Sequence, residues 1–489
     1  MVIRRPILVI GVGLSFGLWF WDSLSHSSSE LGNTTFWSLI AVGAGVWWWQ
    51  QQKNSAPTLD WVPDTVGRET AEKVITEAEA VIQQLVKEAG TDQTSEMSGK
   101  IATLQQRVTR LTTALDEKNL KIELIGTKNT GKSTLIQQLQ LWQSEHSSEF
   151  PGIQWQETVW NQVTDETISE INFPQLDSDL VLLVLTGDIT DSEYQLLTEL
   201  KAKSQRFLLI WNKQDQYLPA EKLQILQKLR QTLQGVLSPE DVVAISCSPN
   251  PIKVRKHQEN GQVDEWVEKQ NPELESLTAR LGQVLTLESQ SLIWARIIRE
   301  GRQLKAEAKE ILNQVRKNRA LPMIEQYQWM AAGAAFANPV PALDLLATAA
   351  INAQLVVDLG EIYQQKFSLE QGKTVAGTLA TQMLKLGVVE LSTKTLGVLL
   401  KSHAVTFVAG GVLQGVSAAY LTRMAGLSLV EYFQAQEVPI TAEDVNSNDL
   451  GKTLQRVFEQ TQQASVLQGL VQKVLGRLSP ENRAPELSH

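Results

Sequence analysis

One cysteine, Cys247, is all that the 489 residues contain, so an internal disulfide framework is excluded and a reducing compartment suits the chain. Histidine is nearly as scarce: five residues are scattered along the chain, and no His, Cys or Asp cluster has the spacing of a metal site. Positive charge is in deficit, with 44 Lys and Arg against 54 Asp and Glu, a net charge of −10 and a pI near 5.3. Nucleic-acid binders usually carry a basic face, so no nucleic-acid partner is expected. No Ser-His-Asp set or catalytic carboxylate pair stands out either.

Hydrophobic residues are plentiful but unevenly placed. "PILVIGVGLSFGLWFW" from Pro6 and "TTFWSLIAVGAGVWWW" from Thr34 are each about 16 residues, slightly short for a hydrocarbon core of about 30 Å. Trp19, Trp21 and Trp37 near the intervening loop, and Trp47, Trp48 and Trp49 at the far end, resemble aromatic belts at two interfaces. Arg4, Arg5 and Lys53 flank the runs while the loop between them lacks Lys and Arg, which puts both ends on the cytoplasmic side. Residues 1–56 are therefore expected to form a transmembrane hairpin, with the lipid bilayer as a partner. A signal peptide followed by a core helix, or a hairpin lying in the interface, are the alternatives.

Next comes a helical linker or stalk over 57–120, with helical stretches at roughly 66–89 and 96–118. Leu104, Val108, Leu111 and Leu115 recur at helical spacing and suit core packing or a coiled coil. Over 121–288 the short runs "KIELIG", "LVLLVL", "FLLIW" and "VVAIS" read as buried parallel strands between amphipathic helices, an α/β domain with helices on both faces of the sheet. Residues 289–437 read as an Ala-rich helical domain. It opens with a basic helix carrying Arg296, Arg299, Arg302, Lys305, Lys309, Arg316, Lys317 and Arg319. The closing segment, 438–489, reads as an amphipathic helix and tail.

Gly126-Thr127-Lys128-Asn129-Thr130-Gly131-Lys132-Ser133 fits G-x-x-x-x-G-K-[ST] between a strand and a helix that continues with Thr134. Backbone N–H groups of such a loop wrap phosphates, Lys132 reaches the outer phosphates and the Ser133 hydroxyl suits Mg²⁺. Asn212-Lys213-Gln214-Asp215 has the form N-K-x-D after a buried strand and resembles the guanine-specificity motif of small GTPases. The Asp215 carboxylate would accept from two guanine N–H groups, a donor pair that adenine lacks. Ser246-Cys247 follows the next strand, where this class usually has Ser-Ala.

Together these segments resemble an Era-like GTPase of the translation-factor-related class over roughly 121–287, which implies GTP or GDP as ligand and Mg²⁺ as cofactor. The class's Asp-x-x-Gly is missing, and Glu157-Thr158-Val159-Trp160 stands in its place. Glu157 can replace the Asp with one extra methylene, whereas the Trp160 side chain is expected to crowd the approach to phosphate. Between Thr134 and Thr158 no Thr is available as the switch I metal ligand. The resemblance, with Lys132 and Glu157 as catalytic residues, thus implies slow or partner-dependent hydrolysis and an unidentified protein activator.

"NPVPALDLLATAA" places Asn338, Pro339, Pro341 and Asp344 within an apolar stretch, which predicts a broken helix with Asp344 as a cap. The segment resembles the YcjF-like domain of unknown function over roughly 291–435, a membrane-associated helical module of bacteria including cyanobacteria. Gly411 and Gly415 in the run from Ala404 suit close packing in lipid or, equally, in a soluble bundle; the basic helix favours an anionic membrane. The localisation these readings imply is integral to a plasma or thylakoid membrane, with the GTPase domain on the cytoplasmic side. Three roles fit: a membrane-anchored regulatory GTPase, a dynamin-like remodelling enzyme acting as a homo-oligomer, and a non-hydrolysing scaffold with a structural nucleotide.

Overall fold

A computed structural model describes residues 66–90, 95–150, 152–160, 177–257, 263–337, 341–402, 411–436 and 438–461, with short pieces at 468–469 and 472–473. The hairpin expected over 1–56, and the Asn338 and Pro339 of the expected helix break, lie outside the described residues, as does the side chain of Asp344. The chain divides into two compact units. One contains Lys118–Leu292, and the other joins Gly67–Glu117 to the chain from Ile293 onward.

Two helices precede the first unit in sequence and belong to the second. Helix α1 (Arg68–Ala89) buries Ala71, Val74, Ile75, Ala78, Ile82 and Leu85, and α2 (Ser95–Ala114) buries Ile101, Leu104, Val108 and Leu111. This is one stripe per helix at the 3.6-residue period, which serves core packing.

The first unit is built on β1 (Leu120–Gly126), α3 (Lys132–Glu145), β2 (Ile153–Val159), β3 (Leu180–Leu185), α4 (Asp191–Ala202), β4 (Phe207–Trp211), α5 (Pro219–Thr232) and β5 (Val242–Ala244). The five strands form one sheet in the order β2-β1-β3-β4-β5, and every pairing is parallel. All of "LVLLVL" and "FLLIW" is buried, because a parallel sheet covered by helices on both faces has no solvent side. Leu196, Leu197 and Leu200 of α4 and Leu229 of α5 pack with Val181, Leu183, Phe207 and Leu209 on one face. The β1–α3–β2 crossover runs the opposite way along the sheet. Its right-handedness therefore places α3, with buried Leu135 and Leu139, on the other face. Strand order reverses at β1, and a crevice opens at the carboxyl ends of strands at such a switch point.

Two features depart from the sequence reading. The segment after β5 adds an antiparallel pair, β6 (Ile252–His257) with β7 (Val263–Glu268). The chain is also already helical from Glu275, in a single helix α6 (Glu275–Ala337) whose first residues belong to the sheet unit and whose remainder belongs to the helical one.

Helices α7 (Pro341–Ile362), α8 (Leu369–Lys385), α9 (Val388–Ser402), α10 (Gly411–Ala435) and α11 (Ser447–Thr461) follow. Ser368 starts α8 through a capping box with Gln371. Leu355, Leu359, Val375, Leu379, Tyr420, Met424 and Leu454 meet in a shared core. Among the described residues, no helix is long and apolar enough to cross a membrane. Three cations of the basic helix pair with acids of the same unit. Lys305 pairs with Glu77 at 2.9 Å, Arg296 with Glu117 at 3.1 Å, and Arg316 with Glu88 at 2.7 Å. These cations on α6 neutralise acids on α1 and just beyond α2, within the helical unit.

Candidate nucleotide site

Glycine is required where β1 ends. A Cβ on Gly126 would lie 2.4 Å from the Val184 carbonyl oxygen, so the neighbouring strand leaves no room for a side chain. Gly131 has φ of 92°, a left-handed conformation, and a Cβ there would lie 2.4 Å from Asn212 Nδ2. Asn129 is also left-handed, at φ 64°, which asparagine tolerates better than most residues. The loop is closed by Thr130 Oγ1 donating to the Thr127 carbonyl at 3.1 Å. Helix α3 starts at Lys132 with Gly131 as its N-cap and no side-chain cap, so its first N–H groups face the loop.

Lys132 is 3 % exposed, and its ammonium donates to the carbonyls of Gly126 at 3.0 Å and Thr127 at 2.8 Å. Burial pulls this lysine below its usual pKa, with the Glu157 carboxylate, 3.9 Å away, opposing the shift. Ser133 donates to Glu157 Oε2 at 2.7 Å. Thr134 is half-buried on the first turn of α3.

The guanine-type motif is bolted to this loop. Asn212 is fully buried; its Nδ2 donates to the Thr130 carbonyl at 2.8 Å and to Cys247 Sγ at 3.0 Å. Its Oδ1 accepts from Cys247 N at 3.1 Å. Lys213, left-handed at φ 65°, donates to the Asn129 carbonyl at 2.8 Å. Asp215 stays half-buried, accepting from the Ser246 hydroxyl and, at 3.1 Å, from Asn250 N. Cys247 is buried, and burial raises its thiol pKa against the hydrogen bond from Asn212. All the predicted residues therefore meet in one unit: the loop from Gly126, the Asn212–Asp215 turn, Ser246-Cys247 and Glu157.

Trp160 corrects the sequence reading. Its side chain is 4 % exposed and lies in the core with Ile125, Leu183 and Leu196, so it is turned away from where phosphate would approach. Its backbone N–H donates to the Gly126 carbonyl at 3.1 Å, the same oxygen that Lys132 uses. Two contributors were not foreseen. Asn250 acts through its backbone, which no residue-type pattern signals. Glu273 accepts from Gln214 at 2.8 Å and lies far from the motif in sequence.

Among the described residues, no three or more His, Cys, Asp or Glu side chains could hold a metal ion. The Ser133 hydroxyl and Glu157 carboxylate are nonetheless hard oxygen donors side by side at the loop mouth. That donor set fits Mg²⁺ shared with phosphate oxygens.

Comparison with known families matches residues 299–463 to a domain of unknown function, DUF697. The match falls on the region that resembles the YcjF-like domain and extends through α11. No curated protein matches the chain.

Proposed function

We propose that the chain is a guanine-nucleotide-binding protein, a slow or partner-activated GTPase serving as a switch at the cytoplasmic face of a membrane. The observation that supports it best is the pair of bonds from Asn212 to Thr130 and from Lys213 to Asn129. They join the base-reading turn and the phosphate loop into one rigid surface. On this reading, Lys132 exchanges its two carbonyl partners for phosphate oxygens, the start of α3 supplies N–H donors, and Asp215 accepts from the guanine edge. Ser133 and Glu157 would hold Mg²⁺, which when bound would offset phosphate charge. Hydrolysis is slow because the place of the γ-phosphate-sensing glycine is taken by Trp160, anchored in the core.

A second reading, membrane remodelling, draws support from the helical unit. Chain segments on both sides of the sheet unit join to build it, so a nucleotide-dependent domain is inserted into a helical body. One assay addresses both readings: GTP binding and single-turnover hydrolysis by the full chain, with Lys132→Ala as control. Binding of GTP and GDP but not ATP, weakened at least about tenfold in the variant, is expected from loss of a charge-assisted contact. Equal binding of ATP, or no binding, would overturn the guanine reading. Turnover that climbs with protein concentration or added lipid favours remodelling; flat specific activity favours the switch.

A further inference from the structure

The contact between Ser133 and Glu157 says more about the metal than the motif does, given the nucleotide reading above on which this inference rests. Glu157 is carried at the end of β2, whose register against β1 sets it opposite Leu124. The chain is stitched again just beyond, where Trp160 N donates to the Gly126 carbonyl. The strand therefore fixes the backbone from which the carboxylate reaches, and Glu157 Oε2 ends 2.7 Å from Ser133 Oγ.

Mg²⁺ takes oxygens at about 2.0–2.1 Å in an octahedron, so neighbouring ligand oxygens sit about 2.9 Å apart. The Ser133 and Glu157 oxygens already have nearly that spacing. An aspartate on the same backbone would be one carbon–carbon bond, about 1.5 Å, shorter and would leave a gap of the kind a water fills. The other carboxylate oxygen, Oε1, lies 3.9 Å from the Lys132 ammonium, which leaves a single oxygen beside Ser133. The sequence also lacks a threonine between Thr134 and Thr158 that could serve as a further protein ligand.

We propose that Glu157 is a direct ligand of the divalent cation, side by side with Ser133. The protein then supplies two inner-sphere oxygens from residues flanking the phosphate loop. Because both oxygens belong to the protein, and the segment that carries Glu157 is tied to the loop by Trp160 N rather than by a γ-phosphate, the cation stays bound in the GDP state.

The test uses the full chain loaded with GDP and Mn²⁺. Water ligands are counted from the broadening of the Mn²⁺ electron paramagnetic resonance lines in ¹⁷O-water, and Mn²⁺ affinity is titrated on the same complex. Glu157→Asp should show one more bound water than the wild type and about tenfold weaker Mn²⁺ binding. Glu157→Gln, which keeps the reach and loses the charge, should keep the wild-type water count while binding Mn²⁺ more weakly. An unchanged water count and affinity in Glu157→Asp would overturn the proposal, since Glu157 would then act through water or not at all. GDP binding by the wild type in the presence of Mg²⁺ is measured separately. Its absence would sink the nucleotide reading itself and the proposal with it, whereas its presence with unchanged metal behaviour in the variants sinks only the metal assignment.

Discussion

The two walls of the candidate cleft are built on opposite principles. On one side, the loop from Gly126, the Asn212–Asp215 turn and Ser246-Cys247 are cross-linked by hydrogen bonds from buried or half-buried side chains. On the other, the end of β2 reaches the loop through Glu157 and the backbone of Trp160, while the Trp160 side chain joins the core behind. The first wall is specified by chemistry, because each donor has one acceptor in place and an unmatched buried partner costs about 1–3 kcal/mol. The second is specified by packing. A wall of the first kind preserves ligand recognition, while a wall of the second kind fixes a segment that in a switch must move. On the proposed reading, recognition survives without a working trigger.

The largest effect is expected from breaking the chemical wall at the base. Asp215→Asn replaces an acceptor pair with one acceptor and one donor, facing two guanine N–H donors. Sites that depend on such bonds discriminate by about 10⁴-fold. Competition between GDP and ADP for the purified variant should show most of that preference gone, while the urea midpoint of the sheet unit stays near the wild type. A variant that still selects guanine would mean that Asp215 serves only its bonds to Ser246 and Asn250.

Breaking the packed wall tests the other half of the contrast. Trp160→Gly restores the residue type that the class uses at this place, yet it empties a core position that is 4 % exposed. Large-to-small changes of this kind cost about 3–5 kcal/mol. Urea denaturation should show that loss without faster GTP hydrolysis. Trp160→Phe should cost much less, because Trp160 Nε1 has no hydrogen-bond partner among the described residues and its removal leaves nothing unmatched. If the glycine variant folds normally and hydrolyses GTP faster, Trp160 is a brake on the trigger, and the second wall is not a packing element.

The sequence revealed these walls to different depths, for physical reasons. The chemical wall depends on residue types at fixed short spacing, such as Gly126 to Ser133 and Asn212 to Asp215, so it could be read directly. The central strands were legible because "LVLLVL" and "FLLIW" have no polar side to present. The direction of the Trp160 side chain was not legible, since it depends on how the chain leaves β2. The β6–β7 hairpin was hidden because it is a lone two-stranded pair whose Ile252, Trp266 and Val267 are exposed, so no buried apolar face marks it. The ion pairs of the basic helix were hidden for a third reason: Arg316 and Glu88 meet across 228 residues of sequence, a separation that no local pattern reveals.

The finest test asks whether the cross-links in the first wall hold the fold or only the ligand. Asn212→Ala removes the donor to the Thr130 carbonyl and the acceptor for Cys247 N in a site with no solvent access. Leaving such groups unmatched should lower the unfolding free energy of the nucleotide-free protein by about 1–3 kcal/mol. Asn212→Asp keeps the shape and the acceptor for Cys247 N but cannot donate to Thr130, so it should fall in the same range, with the cost of a buried charge added. Urea titrations at a pH where the aspartate is ionised, run without nucleotide and then with saturating GDP, separate the two roles. An equal loss under both conditions assigns Asn212 to the fold. A loss that grows with GDP present shows that the loop and the base-reading turn must be joined for the ligand to bind.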